Sequence, residues 1–406
     1  MKNVLFFGFM ADKSTLDQTF KAEAAPQVSA IKFQMSLLDG FAQNDVNVRI
    51  LSVLPISSYP TNPIILVRSK FFELPYNKVT GRLMLGINLP VLKLLTRLIT
   101  SVLFGISEVR NVAKLDAIIV YSLHTPFLLA AICLKALFRV PVGVFIPDLP
   151  LNMSGKSDTG IRKIAKNFDN WLLQRLVGLV DITYPITEDI AKEWLPRGLK
   201  FLVVEGISPT FNGNFQIDTN SKKVFEKTSV ISKRLLYTGS FTYIKKFVQW
   251  FSVCRDLNAD LVLVGGGPER MELENIALTD ARIIVKEFML GEQLDSEIEA
   301  ADFLINPRDT EWIGSRFSFP SKLFDYMGRG KPIMSTRMAG IPEEYFDCFI
   351  EIRDDSLDIF KSSIEAALTT SEQEIVTRIQ AGMNLLNLTK SPKEVVRKII
   401  SSWSKC

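Results

Sequence analysis

Ser321, Lys322 and Asp325, in the stretch FSFPSKLFDYMGRGKPIMST, have residue types and a spacing suited to holding an anion beside a diol. Pro320 opens the stretch, and Gly328, Gly330 and Pro332 close it. It therefore reads as a short capped helix followed by a strand. On a helix, Ser321, Lys322, Asp325 and Arg329 share one side, and Leu323, Phe324 and Met327 share another. The apolar side would pack on a sheet. The polar side begins at a helix N-terminus, where free N–H groups and the dipole favour a phosphate, and Lys322 adds positive charge. Asp325, one turn on, can accept hydrogen bonds from a vicinal diol such as a ribose. Phosphate followed by ribose is the layout of a nucleotide diphosphate site. A solvated polar face of a short helix has the same spacing.

Two further candidates follow strands. His124, the only histidine, stands in SLHTPF after AIIVY, and Asp148 stands in IPDLP after VGVF. In α/β folds ligands gather at the carboxyl ends of strands, which favours a functional reading of both. The alternatives are a helix-start imidazole with satisfied hydrogen bonds and a turn-capping acid between two prolines. Arg308, in NPR, is expected to meet a phosphate or to pair with an acid. GGGP (Gly265–Pro268) lacks the third glycine of a dinucleotide fingerprint and reads as a structural turn. No D-x-D occurs, and four scattered cysteines with one histidine offer no metal-ligand pattern. Neither a metal nor a cofactor is expected.

These residues need large elements to position them. The chain has 406 residues, 47% hydrophobic and 23% charged, which suits two domains with substantial cores. A net charge of +4 is too small to argue for nucleic acid, yet it accommodates an anionic ligand or membrane surface. The cysteine usage fits a reducing cytoplasm. The longest apolar run, GINLPVLKLLTRLITSVLFGI, is interrupted by Lys93 and Arg97 and is too broken to span a bilayer. It reads as a buried helix, or as an amphipathic helix with those cations at lipid headgroups.

Apolar strands alternate with helical stretches. Strands are expected at 4–9, 48–53, 117–121, 142–145, 182–184 and 201–204, then, after a polar stretch at 208–233, at 234–237, 260–264, 281–285, 303–305, 332–335 and 349–352. Alternation of this kind implies parallel, doubly wound sheets. The expected architecture is α/β, with two tandem Rossmann-like domains facing a central cleft. The first covers 1–207 and the second 208–388. A C-terminal helix at 389–406 is expected to pack back on the first domain.

The blocks LLYTGSFTYIKKF, LVLVGGGPERMELE, AADFLINPR, FPSKLFDYMGRGKPI and MAGIPEEY resemble, in order and spacing, the second domain of family-4 retaining glycosyltransferases of the GT-B fold, over roughly 234–345. INPR and FPSK resemble the branch that builds bacterial surface polysaccharides. FIPDLPLNM, YPITEDIAKEW and VVEGI resemble the first domain more loosely. The resemblance implies that Asp325 binds the donor ribose, and that Pro320, Ser321 and Lys322 form the turn and helix start under the diphosphate. Gly239 and Lys245 match the first glycine and the lysine of the diphosphate clamp. Three departures stand out. Ser240 replaces the clamp arginine. Phe317 replaces the first acid of the family's glutamate pair, eight residues before Asp325. AAPQVSAIKF lacks the usual Gly-Gly turn.

The resemblance implies a cytoplasmic hexosyltransferase at the inner face of the membrane. It would use a nucleotide diphosphate sugar, expected to be a UDP-sugar, and would need no metal. The acceptor would be a growing glycan on a polyprenyl-diphosphate carrier. Asp148, with His124 as alternative, would act from the first domain. The donor ligands would be Gly239, Ser240, Lys245, Arg308, Pro320, Ser321, Lys322 and Asp325. A nucleotide-sugar epimerase of the same shape and a non-catalytic partner subunit are the rival readings.

Overall fold

The structure, a computed structural model, describes residues 1–21, 23, 27–149, 160–209 and 232–403. Residues 210–231 of the polar stretch, which include NGNFQIDTNSKK, and the end of FIPDLPLNM lie outside the described residues. The chain divides into two compact units, Met1–Thr210 with Lys390–Cys406, and Phe211–Thr389.

The first unit is built on strands β1 (Lys2–Gly8), β2 (Val46–Ser52), β3 (Leu66–Val67), β4 (Lys70–Glu73), β5 (Val79–Leu83), β6 (Gly86–Ile87), β7 (Ala117–Tyr121), β8 (Val142–Ile146) and β9 (Ile182–Pro185). Seven of them form one sheet in the order β4-β5-β2-β1-β7-β8-β9, parallel except for the β4–β5 pair. The central strands β7 and β8 are buried along their whole length, which is why AIIVY and VGVFI are continuously apolar. β3 and β6 form a separate antiparallel pair. Residues 201–204 contribute only an isolated bridge, Phe201 to Thr183, where a strand is expected from sequence.

The helix Pro392–Trp403 belongs to the first unit. Its Trp403 Nε1–H donates to Tyr184 Oη at 3.0 Å, and the Asn44 amide donates to Lys393 O at 2.8 Å. A Cβ on Gly40 would lie 2.3 Å from Pro392 O, so only a glycine lets the helix Val28–Gln43 approach this closely.

The second unit carries β10 (Lys233–Ser240), β11 (Ala259–Gly266), β12 (Ile283–Lys286), β13 (Phe303–Asn306), β14 (Ile333–Thr336) and β15 (Ile350–Ile352). All pair in parallel in the order β12-β11-β10-β13-β14-β15. Numbered within the unit, that is 3-2-1-4-5-6, the doubly wound Rossmann order. The crossovers therefore leave β10 and β13 in opposite directions and open a crevice at their carboxyl ends. The first unit repeats the arrangement at β1 and β7, with an antiparallel edge strand added. Both units are thus Rossmann-like, and the chain has the α/β fold class expected from its sequence.

Candidate active site

In the second unit, Gly239 and Ser240 end β10, Arg308 follows β13, and Lys322 opens the helix Lys322–Met327. Lys322 is the central group. A helical side chain leans toward the N-terminus of its helix, so at the first position it points off the helix end. Here that direction brings the ammonium under the end of β10, 3.6 Å from the centroid of the fully buried Tyr237 ring. Its Nζ is buried and has no hydrogen-bond partner among the described residues. Burial, and secondly the nearby Arg308 charge, hold its pKa well below the usual lysine value. The spacing alone leaves open whether Lys322 serves a phosphate or lies on a solvated helix face. The solvated alternative does not hold for Lys322, because the first-turn side chain runs inward.

The backbone leaves room for this cation. Gly239 has φ +129°, and a Cβ there would stand 3.0 Å from Lys322 Nζ. Gly265, its partner in register on β11, has φ +149°, and a Cβ on it would lie 1.9 Å from Gly239 O. Gly265 is therefore a structural requirement of the strand ends, consistent with reading GGGP as a turn. Tyr237 Oη donates to Ser240 O at 2.6 Å, and Thr238 N–H donates to Tyr326 Oη at 2.9 Å. These bonds fix the two strand-end residues on either side of Gly239.

Arg308 donates to Thr242 O. It forms no ion pair among the described residues. Two cations close enough to disfavour each other thus converge on one strand end. Glu269 is occupied, accepting from the backbone N–H groups of Tyr243, Ile244 and Lys245 at 2.8, 2.9 and 3.1 Å. Such a site favours an anion of more than one charge.

The other expected donor ligands differ in availability. Lys245 is ion-paired with Glu272. The Ser240 hydroxyl is exposed and bonds with Thr242 Oγ1 at 2.8 Å. Pro320 is buried, and its carbonyl accepts from Leu323 N–H at 2.9 Å, turning the chain into the helix. Ser321 is exposed and its side chain makes no capping bond. Asp325 is half-buried in the first turn. The helix has only 6 residues, so its dipole is a weaker attraction than the two side-chain cations. Phe317 is half-buried at the end of the 3-10 turn Ile313–Phe317.

In the first unit, His124 follows β7 and precedes the helix Thr125–Phe138. Its ring packs against Phe127 and, edge-on, against Phe9, with centroids 4.4 and 5.3 Å away. Nε2 faces Arg97 Nη1 at 3.2 Å. Because a guanidinium only donates, Nε2 must accept, which assigns the ring proton to Nδ1. That buried Nδ1 has no partner among the described residues. Burial first, then the charges of Arg97 and Lys93, hold the imidazole pKa well below its ordinary value. At neutral pH His124 is thus an uncharged donor. The partner of its Nε2 in the structure is thus Arg97. Asp148 follows β8 with one face open to solvent, while desolvation on its protein side raises the carboxyl pKa to about 6. Among the described residues no group of His, Cys, Asp and Glu is placed to hold a metal.

Arg97 is the residue that sequence reasoning misses as a site residue. A cation inside an apolar helical run was the available signal.

Residues 232–369 match the family model described as "Glycosyl transferases group 1". No curated protein matches the chain. Among solved structures, the sucrose-phosphate synthase of Thermosynechococcus elongatus superposes with a TM-score of 0.65 at 12% identity, covering 100% of this chain and 99% of its own. HepE of Anabaena, in complex with UDP-glucose, gives 0.56 at 12% identity, with 100% of both chains covered. WaaG, a glycosyltransferase involved in lipopolysaccharide biosynthesis, gives 0.52 at 14%, covering 98% of this chain and 99% of its own. At such identities the likeness is one of fold, and the fold is GT-B. Together with the matched domain, it makes the chain an enzyme of the glycosyltransferase class.

Proposed function

We propose that the protein transfers a hexosyl unit from a UDP-sugar to a lipid-linked glycan in bacterial surface polysaccharide biosynthesis, with retention of configuration and without a divalent metal. The observation that carries the donor assignment is the buried Lys322 ammonium beneath Gly239, with no hydrogen-bond partner among the described residues and Arg308 alongside. A nucleotide diphosphate would give both cations their missing counter-charge, and fixed cations would then stabilise the leaving diphosphate. Asp325 would accept from the ribose hydroxyls one turn further on. The binding of UDP-glucose by HepE, within the same fold, supports this choice of donor. WaaG's part in lipopolysaccharide biosynthesis supports the choice of process.

In the reaction, the leaving phosphate oxygen takes the proton of the attacking acceptor hydroxyl. Asp148, as the carboxylate, orients that hydroxyl and offsets positive charge on the sugar, while His124 Nδ1–H donates to a sugar oxygen. No proton rests on His124 Nε2, which Arg97 occupies.

We place the enzyme at the cytoplasmic face of the membrane. The helix Leu92–Arg110 supports this with an outward apolar face of exposed Leu94, Leu95, Ile99 and Leu103. Its cations are not at lipid headgroups. Arg97 is buried, and Lys93 turns inward to donate to Ile56 O at 2.6 Å. Membrane contact through this helix is therefore apolar and only weakly salt-dependent. No helix of the described residues is long and apolar enough to cross a membrane.

Isothermal titration with UDP, UDP-sugars and GDP tests the donor site. Binding of UDP is expected. Absence of binding by every nucleotide diphosphate to the folded protein would overturn it. Epimerisation of a UDP-sugar without transfer would favour the epimerase reading.

A further inference from the structure

The inward side of the helix Leu92–Arg110 carries more than packing. It lines, with β3 and β6, a small pocket with an open mouth. Asn88, Lys93, Arg97, Leu54 and Ile87 are among its walls. Lys93 donates to Ile56 O and, at 3.4 Å, to Ser58 Oγ, and Arg97 donates to Leu54 O at 3.0 Å and faces His124. Among the described residues neither cation is in an ion pair, although Arg97 is only 9% exposed. The acid that acts on Lys93 by charge is Glu23, whose oxygens already accept from Ser57 N–H, Ser57 Oγ–H and the Asn62 amide. One negative charge thus stands near two positive ones.

Asn88 adds an independent sign. It is 2% exposed, and its amide nitrogen donates to Ser57 O and Ile64 O, both at 2.9 Å. Its Oδ1 is buried and has no donor among the described residues. A pocket wall that offers two cations and one unused acceptor fits a group carrying a negative charge together with a hydroxyl.

We propose that this pocket binds the phosphorylated end of the acceptor: a sugar phosphate whose phosphate meets Lys93 and Arg97 and whose hydroxyl donates to Asn88 Oδ1. The inference rests on the glycosyl-transfer reading and names the class of its acceptor. Arg97 joins the pocket to His124, so an anion bound there is sensed by the imidazole.

The chain has a single histidine, which gives one unambiguous imidazole signal. A tag-free sample with labelled histidine is titrated with glucose 6-phosphate, with glucose, and with a short-chain polyprenyl-diphosphate sugar. The expected result is a saturable shift of the His124 signals by one or both phosphorylated compounds and none by glucose. Saturation by the soluble phosphate alone assigns a free sugar phosphate, and by the polyprenyl compound alone a lipid-linked one. Lys93→Met should weaken the binding roughly tenfold or more, with UDP affinity unchanged. Asn88→Ala should weaken it less. If neither phosphorylated compound shifts His124, or both bind the folded Lys93→Met protein as tightly as wild type, the proposal fails. UDP binding and UDP-sugar turnover are measured on the same samples. Their persistence would confine the failure to this pocket, and their absence would place it in the glycosyl-transfer reading.

Discussion

Replacing Lys322 by methionine should make the empty protein more stable and its nucleotide binding weaker. The ammonium is buried over Tyr237 with no hydrogen-bond partner among the described residues. Desolvating such an ion costs several kcal/mol, and a desolvated cation–π contact returns about 2 kcal/mol. Methionine keeps most of the stem and removes the charge, so a net gain on the order of 1–3 kcal/mol follows. For a unit of this size each kcal/mol raises Tm by about 2–4 °C. The diphosphate would lose a charge-assisted contact of about 1.5–3 kcal/mol, roughly 10- to 160-fold in Kd. The sign of the pH effect follows from the lowered Lys322 pKa, set by burial first and then by Arg308. The unfolded chain binds the proton more tightly, so stability falls as pH drops from the ordinary lysine value through the folded one. A diphosphate favours the charged form and raises that pKa again, so wild-type binding takes up protons wherever the free amine is partly deprotonated, and the variant's does not. Calorimetry in two buffers of different ionisation enthalpy, with a thermal melt of each protein, reads all three effects. Equal UDP affinity in both proteins, or a variant that melts several degrees lower, would refute the reasoning.

The same geometry sets three more expectations. Gly265→Ala should destabilise the second unit by about 2–5 kcal/mol in a denaturant melt, since the new Cβ would overlap Gly239 O and the residue has φ +149°. Asp148→Asn should lower kcat by one to several orders of magnitude while UDP affinity holds. The wild-type kcat/KM profile should fall on the acid side with a midpoint of about 6, because desolvation raises that carboxyl and only its ionised form acts. Asp325→Ala should weaken UDP binding by about 1.5–3 kcal/mol, and Lys245→Ala by less, since Lys245 must first leave Glu272. Titration calorimetry ranks the two.

The parallel strands were readable because burial on both faces leaves unbroken apolar runs such as LVLV and AIIVY. The edge strand Lys70–Glu73 and its neighbour Val79–Leu83 escaped notice because KFFE and VTGRL keep polar residues on the open side. β3 and β6 have two residues each, too few for any period to be seen. The helix Glu372–Leu388 was missed because little of it is buried beyond Ile375, Gly382 and Leu386.

The helix Leu92–Arg110 was read the wrong way round. Its leucines suggested either a core or a stripe with cations at the rim, yet Arg97, Thr100, Ser101 and Gly105 face inward. Small residues make that possible: a Cβ on Gly105 would stand 2.6 Å from the Leu134 side chain of the neighbouring helix. At the donor site the residue types and their places after strands were legible in FPSKLFDYM. The inward course of Lys322 was not, because it depends on where β10 ends relative to the helix start.

Turnover of a nucleotide sugar bears most directly on the central claim. Purified protein is incubated with UDP-glucose, UDP-galactose and UDP-N-acetylglucosamine, with EDTA present, in membranes that supply lipid-linked acceptors. Released UDP and the mass of the lipid products are followed. The account predicts UDP release with one added hexosyl mass per product, undiminished by EDTA and strongly reduced in Lys322→Met. Folded wild-type protein that releases no UDP from any of these sugars, or that does so only when a divalent metal is restored, would contradict it.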